Sequence, residues 1–271
     1  MNASRHWRLG ASALAGALIP LILSPVAGAA KGAPPRTTSS TGYDISYPQC
    51  PSSFPGGGAF GIVGVTNGLP WSQNPCLGNE WGWASARKSQ GFYVNTANPG
   101  PISSHWNQGG PRPCTDPASV SDTGCAYDYG WNAAAQAFST TSSALAAAGY
   151  STTAVTVHGW WLDVETGNSW NGTPGANTAD IEGYVDYLRA QNVPEAGIYS
   201  TGAQWSAITG GAVIGGSGSS PPPYDWVAGA SSQKQATSMC SSTYSFSSGP
   251  VHLAQYPSGG YDGDYPCGGT L

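Results

Sequence analysis

Short apolar runs punctuate the chain from about residue 43 onward: 43–46, 60–66, 91–96, 160–165, 197–201, 225–230 and 252–256. Each is rich in β-branched and aromatic residues, which reads as strand. Apolar character is largely continuous within a run rather than alternating. Both faces of these strands are therefore expected to be buried, as in a parallel sheet covered by helices. Between them, residues 178–190 place Ile181, Tyr184, Val185 and Leu188 at helical spacing. Asn177 or Thr178 can cap that helix, Asp180 and Glu182 suit its positive end, Arg189 suits its negative end, and Pro194 forbids continuation. Residues 131–148 predict a second helix stopped at Gly149, and residues 80–90 a third ended by Gly91. Residues 97–130 read as a long loop crossing one face, and residues 210–223 as a flexible loop. After about residue 202 the Gly, Ser and Pro content leaves no clear helix. The alternation of strand and helix predicts the α/β class, an irregular (β/α) barrel of TIM-barrel type that is regular early and irregular late. No internal repeat is visible.

The N-terminus follows a different pattern. Arg5 and Arg8 precede an apolar run from about Ala11 to Leu23, and small residues follow at Ala27–Ala29. Basic, apolar, small is the order of a signal peptide, so residues 1–29 are expected to be removed on export. The run is short and rich in Ala and Gly for a membrane span. With no second such stretch, no stable membrane insertion is expected after cleavage. Residues 30–41 are small, polar and Pro-rich and read as a linker, which leaves 42–271 as one barrel domain.

Composition narrows the partners. The 271 residues carry 9 Lys and Arg against 14 Asp and Glu, a net charge of −5, so nothing is present to neutralise a phosphate backbone and nucleic acid is excluded as a partner. Aromatic residues reach 11% while charged ones are only 8%. That balance excludes a disordered chain and suits a carbohydrate, whose apolar C–H faces stack on rings. Six cysteines, at 50, 76, 114, 125, 240 and 267, imply disulfides outside the cytosol. Sequence neighbours suggest Cys50–Cys76, Cys114–Cys125 and Cys240–Cys267 among the fifteen possible pairings. No Cys-x-x-Cys or paired His spacing appears, so no metal and no cofactor is expected.

Chemistry is concentrated in one segment, His158 to Asn168. Strand side chains alternate, so Asp163 and Glu165 point the same way, roughly 6.6 Å apart along the chain. They end an apolar strand, and a barrel places its active site at the C-terminal strand ends. Like charges at this range raise one pKa, leaving a group that can donate a proton near neutral pH. Glycoside hydrolysis needs such an acid beside a carboxylate that meets the developing positive charge. Asp44 ends the first run, and Asp262 and Asp264 lie after the last. If the first and last strands are neighbours, these acids converge. Asp225 precedes its run and is expected to be structural.

The order of these pieces resembles family 25 of the glycoside hydrolases, the muramidase-type lysozymes. Its pieces are the Gly-Tyr-Asp-Ile-Ser strand at 42–46, the Phe-x-Ile-x-x-Val-Thr strand at 60–66, Gly-x-Tyr at 91–93 and Trp-x-Asp-x-Glu at 161–165. Ile-Tyr-Ser at 198–200, Trp-Val-Ala at 226–228, Gln-Tyr at 255–256 and Asp-x-Asp at 262–264 complete it. The resemblance spans about 42–267 and implies a barrel with antiparallel strands near its end. It implies Glu165 as the acid, Asp163 as the assistant at the N-acetyl group or oxocarbenium centre, Asp44 as a polarising group and Asp262 as completing the site. Tyr93, Tyr199 and Trp226 would line the sugar cleft, with Asp264 among the substrate-binding residues. The sequence departs from the family at Val94-Asn95-Thr96, in the insertion after it, which can narrow the cleft or replace a subsite, and in the run from Glu165 to Trp170. The implied protein is a secreted, monomeric hydrolase of peptidoglycan or a related N-acetylated glycan. The alternatives are a catalytically inactive glycan-binding barrel and a secreted structural or interaction protein.

Lesser features stay outside this scheme. His105, His158 and His252 show no ligand spacing and are expected to be structural, with His158 close enough in sequence to tune Asp163. Asn171-Gly-Thr173 matches a glycosylation acceptor. No Gly-x-Ser-x-Gly elbow is present, which excludes a serine hydrolase of that type. Asp128 is expected to favour the start of the helix near Trp131, with Tyr127 or Tyr129 as a lesser candidate for carbohydrate contact.

Overall fold

The computed structural model describes residues 41–50, 53–215 and 221–268. The signal peptide expected over 1–29, the linker except Thr41, and part of the loop expected over 210–223 lie outside the described residues. The remainder closes a barrel in the order β1 to β8. The strands are β1 (Gly42–Ile45), β2 (Phe60–Gly64), β3 (Ser89–Asn95), β4 (Gly159–Asp163), β5 (Ala196–Ser200), β6 (Tyr224–Val227), β7 (Val251–Ser258) and β8 (Tyr261–Pro266). Neighbours from β1 to β7 run parallel, while β8 is antiparallel to both β7 and β1. The expected antiparallel closure is therefore present. The correction is that Asp262 and Asp264 sit on a strand of their own rather than after the last one. A hairpin with positive φ at Gly259 and Gly260 joins β8 to β7.

Alternation along the strands divides the apolar residues into two cores. Phe60, Ile62, Trp161, Trp226 and Leu253 fill the barrel interior. Val63, Phe92, Val94, Trp160, Leu162 and Ile198 point outward against the helices. The pair Trp160 and Trp161 thus splits between the layers, one ring outside and one inside, as a pleat of period two requires. Glycine makes room for the inner rings: a Cβ at Gly197 would lie 2.2 Å from the Trp161 ring.

The helices are α1 (Leu77–Ser85), α2 (Thr123–Ala147), α3 (Ala154–Val157), α4 (Pro174–Ala190), α5 (Gly202–Thr209) and α6 (Gln233–Ser238). Their bounds differ from the sequence expectation where caps intervene. The Asp122 side chain accepts from the Cys125 backbone N–H, so α2 starts eight residues before Trp131, the expected start. Asp128 therefore does not start the helix. It is buried within it and accepts from the Arg112 N–H at 2.9 Å, tying down the long loop. Thr173, not Asn177 or Thr178, caps α4, with Pro174 in its first turn. Helix α1 stops at Ser85 because β3 begins at Ser89, paired with Phe60. Helices α5 and α6 were not expected. Both are short, and each begins at a capping hydroxyl, Thr201 and Ser232 respectively. No helix among the described residues is long and apolar enough to cross a membrane.

Disulfides join Cys50 to Cys76, Cys114 to Cys125 and Cys240 to Cys267. The first ties the segment after β1 to the start of α1, the second ties the long loop to α2, and the third ties α6 to the end of β8. Helices α2 and α4 pack closely enough that a Cβ at Gly183 would meet the Tyr127 carbonyl at 2.1 Å. At this crossing Asp180 is fully buried, and neither carboxyl oxygen has a hydrogen-bond partner among the described residues. Burial raises its pKa well above the usual carboxylate range. Glu80 of α1, also buried, accepts from Asn74 at 2.6 Å and is raised by burial to about 7. A carboxyl that holds its proton more tightly folded than unfolded stabilises fully only below its unfolded pKa. That stabilisation is lost as pH rises through the folded value, which is about 7 for Glu80. Stability should therefore decline as pH rises from the ordinary glutamate value of 4.5 through about 7. Asp180→Asn should raise the melting temperature at pH 8 by at least ~2–4 °C, the shift that 1 kcal/mol produces in a domain of this size, with no gain near pH 4. Calorimetry at the two pH values checks this.

Candidate active site

Parallel strands present their C-terminal ends at one rim, and antiparallel β8 presents its first residues there. This rule assembles the site. Asp44 of β1, Tyr93 of β3, Asp163 of β4 with Glu165 just beyond, Tyr199 of β5, Trp226 of β6, Gln255 of β7 and Asp262 of β8 line one cavity of about 280 Å³. Asp44 and Asp262 face each other in the β1–β8 register. The sequence-predicted residues are brought together, with one exception. Asp264 lies one layer deeper, is fully buried and does not line the cavity. Strand alternation keeps it on the same inner face as Asp262, and two residues of depth remove it from the mouth.

The floor beneath the acids is aromatic. The Trp226 ring meets Tyr199 at 4.9 Å, Trp161 at 5.7 Å and Tyr93 at 6.4 Å, in each case edge to face. Such a floor removes water from the carboxyls above it. Burial, then the neighbouring charge of Asp262, raises Asp44 to about 8. Burial, then the charge of Glu165, holds Asp163 well above its usual range. Burial raises Asp262 as well.

Amides orient these groups. Asn95 Nδ2 donates to Asp163 Oδ2, while Thr66 Oγ1 donates to Asn95 Oδ1 at 2.7 Å. Thr96 Oγ1 donates to the Asp163 carbonyl at 2.6 Å. Gln255 Nε2 donates to Asp44 Oδ2 at 3.0 Å, and Tyr199 OH donates to Gln255 Oε1 at 2.8 Å. Gln204 Nε2 of α5 reaches Glu165 Oε1 at 3.4 Å. Sequence reasoning missed Asn95, Gln204 and Gln255 as site residues. The signal was present for two of them: Gln255 stood in the Gln-Tyr pair, and Asn95 stood in the departure after Tyr93. Gln204 carried none, because its helix was not expected.

Other expectations resolve simply. The segment 97–122 contributes nothing to the cavity lining among the described residues. Its Trp106 is instead buried against α2, beside Tyr129. Tyr127 and Tyr129 are buried too, which removes them as carbohydrate contacts. His158 precedes β4, at the strand end away from the mouth, and its ring lies against Trp81 at 5.4 Å, so it does not tune Asp163. His105 stacks on Trp71 at 3.9 Å, and His252 pairs with Glu195 at 2.9 Å. Asp225 is structural as expected, accepting from Phe246 N at 2.8 Å and Ser247 Oγ at 2.5 Å.

Asp264 accepts from Trp226 Nε1 at 3.0 Å. Burial, then the charges of Asp44 and Asp262, raises its pKa well above the usual carboxylate range. An asparagine offers the same acceptor and a donor in the same place. Asp264→Asn should therefore fold with near wild-type stability at pH 7. Asp264→Ala leaves the indole N–H unpaired and should cost about 1–3 kcal/mol, as urea unfolding would show.

Known proteins place this geometry. A family model described as lysozyme-like protein 1 matches residues 117–247. No curated protein matches the chain. Among solved structures, the muramidase from Trichobolus zukalii is 20% identical, covers 86% of this chain and 95% of its own, and gives a TM-score of 0.53. A family GH25 lysozyme from Aspergillus fumigatus is 17% identical over 83% and 92%, with a TM-score of 0.51. The bacterial lysozyme from Streptomyces coelicolor is 18% identical over 86% and 94%, with a TM-score of 0.50. With the closed barrel and the acid-lined mouth described above, the chain resembles the family 25 lysozymes in fold.

Proposed function

We propose that the chain is a secreted, monomeric glycoside hydrolase that cleaves peptidoglycan or a related N-acetylated glycan. The observation that carries this reading is the meeting of Asp44, Asp163, Glu165 and Asp262 at one mouth above Tyr199 and Trp226. Acids supply proton donation and a counter-charge, and ring edges and faces suit a pyranose. The like-folded muramidases and lysozymes support the reaction class. The N-terminal order of basic, apolar and small residues, together with three disulfides, supports export.

In this reading Glu165 is the general acid at the leaving oxygen. It is the least enclosed carboxyl of the β4 pair and is reached by a single amide, Gln204. Asp163, fixed by Asn95 and Thr96, orients the N-acetyl group or faces the oxocarbenium centre. Asp44 and Asp262 complete the polar wall opposite, with Asp44 held by Gln255. Tyr93, Tyr199 and Trp226 line the sugar. The chemistry calls on no metal or cofactor. A catalytically silent glycan-binding barrel is the second reading, favoured by the amide that Asn95 places on Asp163.

Purified mature protein incubated with peptidoglycan and with chitin oligomers should release products with new reducing ends, detected by mass spectrometry. Glu165→Gln should lower turnover by roughly 10²–10⁴-fold without changing the melting temperature. Unchanged turnover in that variant removes Glu165 from the role, and binding without product supports the silent barrel. Because Asp44 is a neutral acid until about pH 8, kcat/KM should fall on the alkaline side with an apparent pKa near that value, belonging to the acid cluster as a whole. A flat profile from pH 6 to pH 10 would contradict it.

A further inference from the structure

Asn95 ends β3, in one of the stretches where the chain departs from the family pattern. Its amide is fixed from both sides. Thr66 Oγ1 donates its only hydrogen to Asn95 Oδ1 at 2.7 Å and accepts from the Asn95 backbone N–H at 3.1 Å. With the oxygen so committed, Nδ2 faces the other way and donates to Asp163 Oδ2. Turned over, the amide would set an oxygen against Asp163 Oδ2. It would also take the acceptor from the Thr66 hydroxyl, which makes no other donation among the described residues. The Asp163 backbone is held as well, since its carbonyl accepts from Thr96 Oγ1 at 2.6 Å and from Thr96 N at 3.2 Å. The carboxyl therefore meets a donor at Oδ2 and none at Oδ1, which is buried and has no hydrogen-bond partner among the described residues.

The groups facing Asp163 make that one donor matter. Glu165 lies just beyond it, Asp44 stands on β1, and Tyr93 and Tyr199 stand on the flanking β3 and β5. Among the described residues no Lys, Arg or His lines the mouth. Burial and the charges of Glu165 and Asp44 all oppose ionisation of Asp163, and Asn95 alone favours it. Yet a carboxyl that meets a developing positive charge must itself be charged. Thr66 is 1% exposed and does not line the cavity, so it reaches the mouth through Asn95 rather than by touching a ligand. Two other acids repeat the device. Tyr199 OH donates at 2.8 Å to the oxygen of Gln255, the amide on Asp44, and Thr166 Oγ1 at 3.1 Å to the oxygen of Gln204, the amide on Glu165.

We propose that Thr66 and Asn95 are positioning residues for Asp163: the hydroxyl locks the amide, and the locked amide lets the carboxyl ionise where its surroundings oppose it. The consequence for turnover rests on the hydrolase reading above; the link to Asp163 does not. A donor to the ionised form favours that form, so losing the donor should weaken the acidity of Asp163. Isotope-labelled aspartate carboxyl carbons are titrated by NMR, with the Asp163 signal assigned by its loss in Asp163→Asn. Thr66→Val keeps the shape without the hydroxyl and should weaken Asp163 as an acid about 10-fold, while Thr66→Ser restores the hydroxyl and should return it close to wild type. The acid limb of kcat/KM on solubilised peptidoglycan fragments should move to higher pH in Thr66→Val and not in Thr66→Ser, with KM little changed. Asn95→Ala removes the donor itself at a half-buried position and should weaken Asp163 likewise, so the link is read even if Thr66→Val does not fold. An Asp163 midpoint unmoved in Asn95→Ala, or moved equally in Thr66→Val and Thr66→Ser, overturns the proposal whatever the activity. A midpoint displaced as expected in a protein that releases no product leaves the relay standing and overturns only the hydrolase.

Discussion

Closure of the sheet by one antiparallel strand is the constraint on which the rest depends. Without β8, the edges of β1 and β7 would carry unpaired N–H and C=O groups. With it, the ring closes, and its direction reverses so that the first residues of β8 stand at the same rim as the last residues of the other strands. That reversal sets Asp262 opposite Asp44. It also sets Asp264 below them against the Trp226 indole.

Closure has an electrostatic consequence. Acids that would be solvated on an open edge are gathered over a floor of Trp161, Trp226, Tyr93 and Tyr199, where ionisation is expensive. The molecule answers with neutral donors rather than cations. Asn95, Gln255 and Gln204 each hold one carboxyl, and among the described residues no Lys or Arg lines the mouth. Amides orient a carboxyl without fixing its charge, so protons remain available to the chemistry. The low content of basic residues, read first as evidence against nucleic acid, takes on a second meaning here.

The outer layer follows the same economy of charge. Helices α2 and α4 pack through Gly130 and Gly183 around a buried Asp180, whose pKa burial raises well above the usual carboxylate range. The long segment before α2 is secured by the Cys114–Cys125 bond, by Asp128 and by a buried Trp106, and so lies away from the mouth. The shorter loop from Thr166 to Gly172, which follows Glu165 directly, is braced by the backbone of Asn98.

The sequence by itself determined the strands of the parallel part, the two long helices, the even set of cysteines and four acids that the fold gathers at one mouth. These are signals written in local order: continuous apolar runs, helical spacing, and carboxyls at strand ends where they cannot be filler. It also carried the expectation that first and last strands meet. Only the tertiary structure decided the rest. Residues 261–266 are too poor in apolar residues to announce a strand, because their pairing is supplied by neighbours on both sides. Helices α5 and α6 are set by capping hydroxyls and by docking onto the barrel, not by a long amphipathic period. Whether an acid stands at the mouth, as Asp262 does, or beneath it, as Asp264 does, depends on register between strands distant in the chain, and spacing along one strand holds no record of depth.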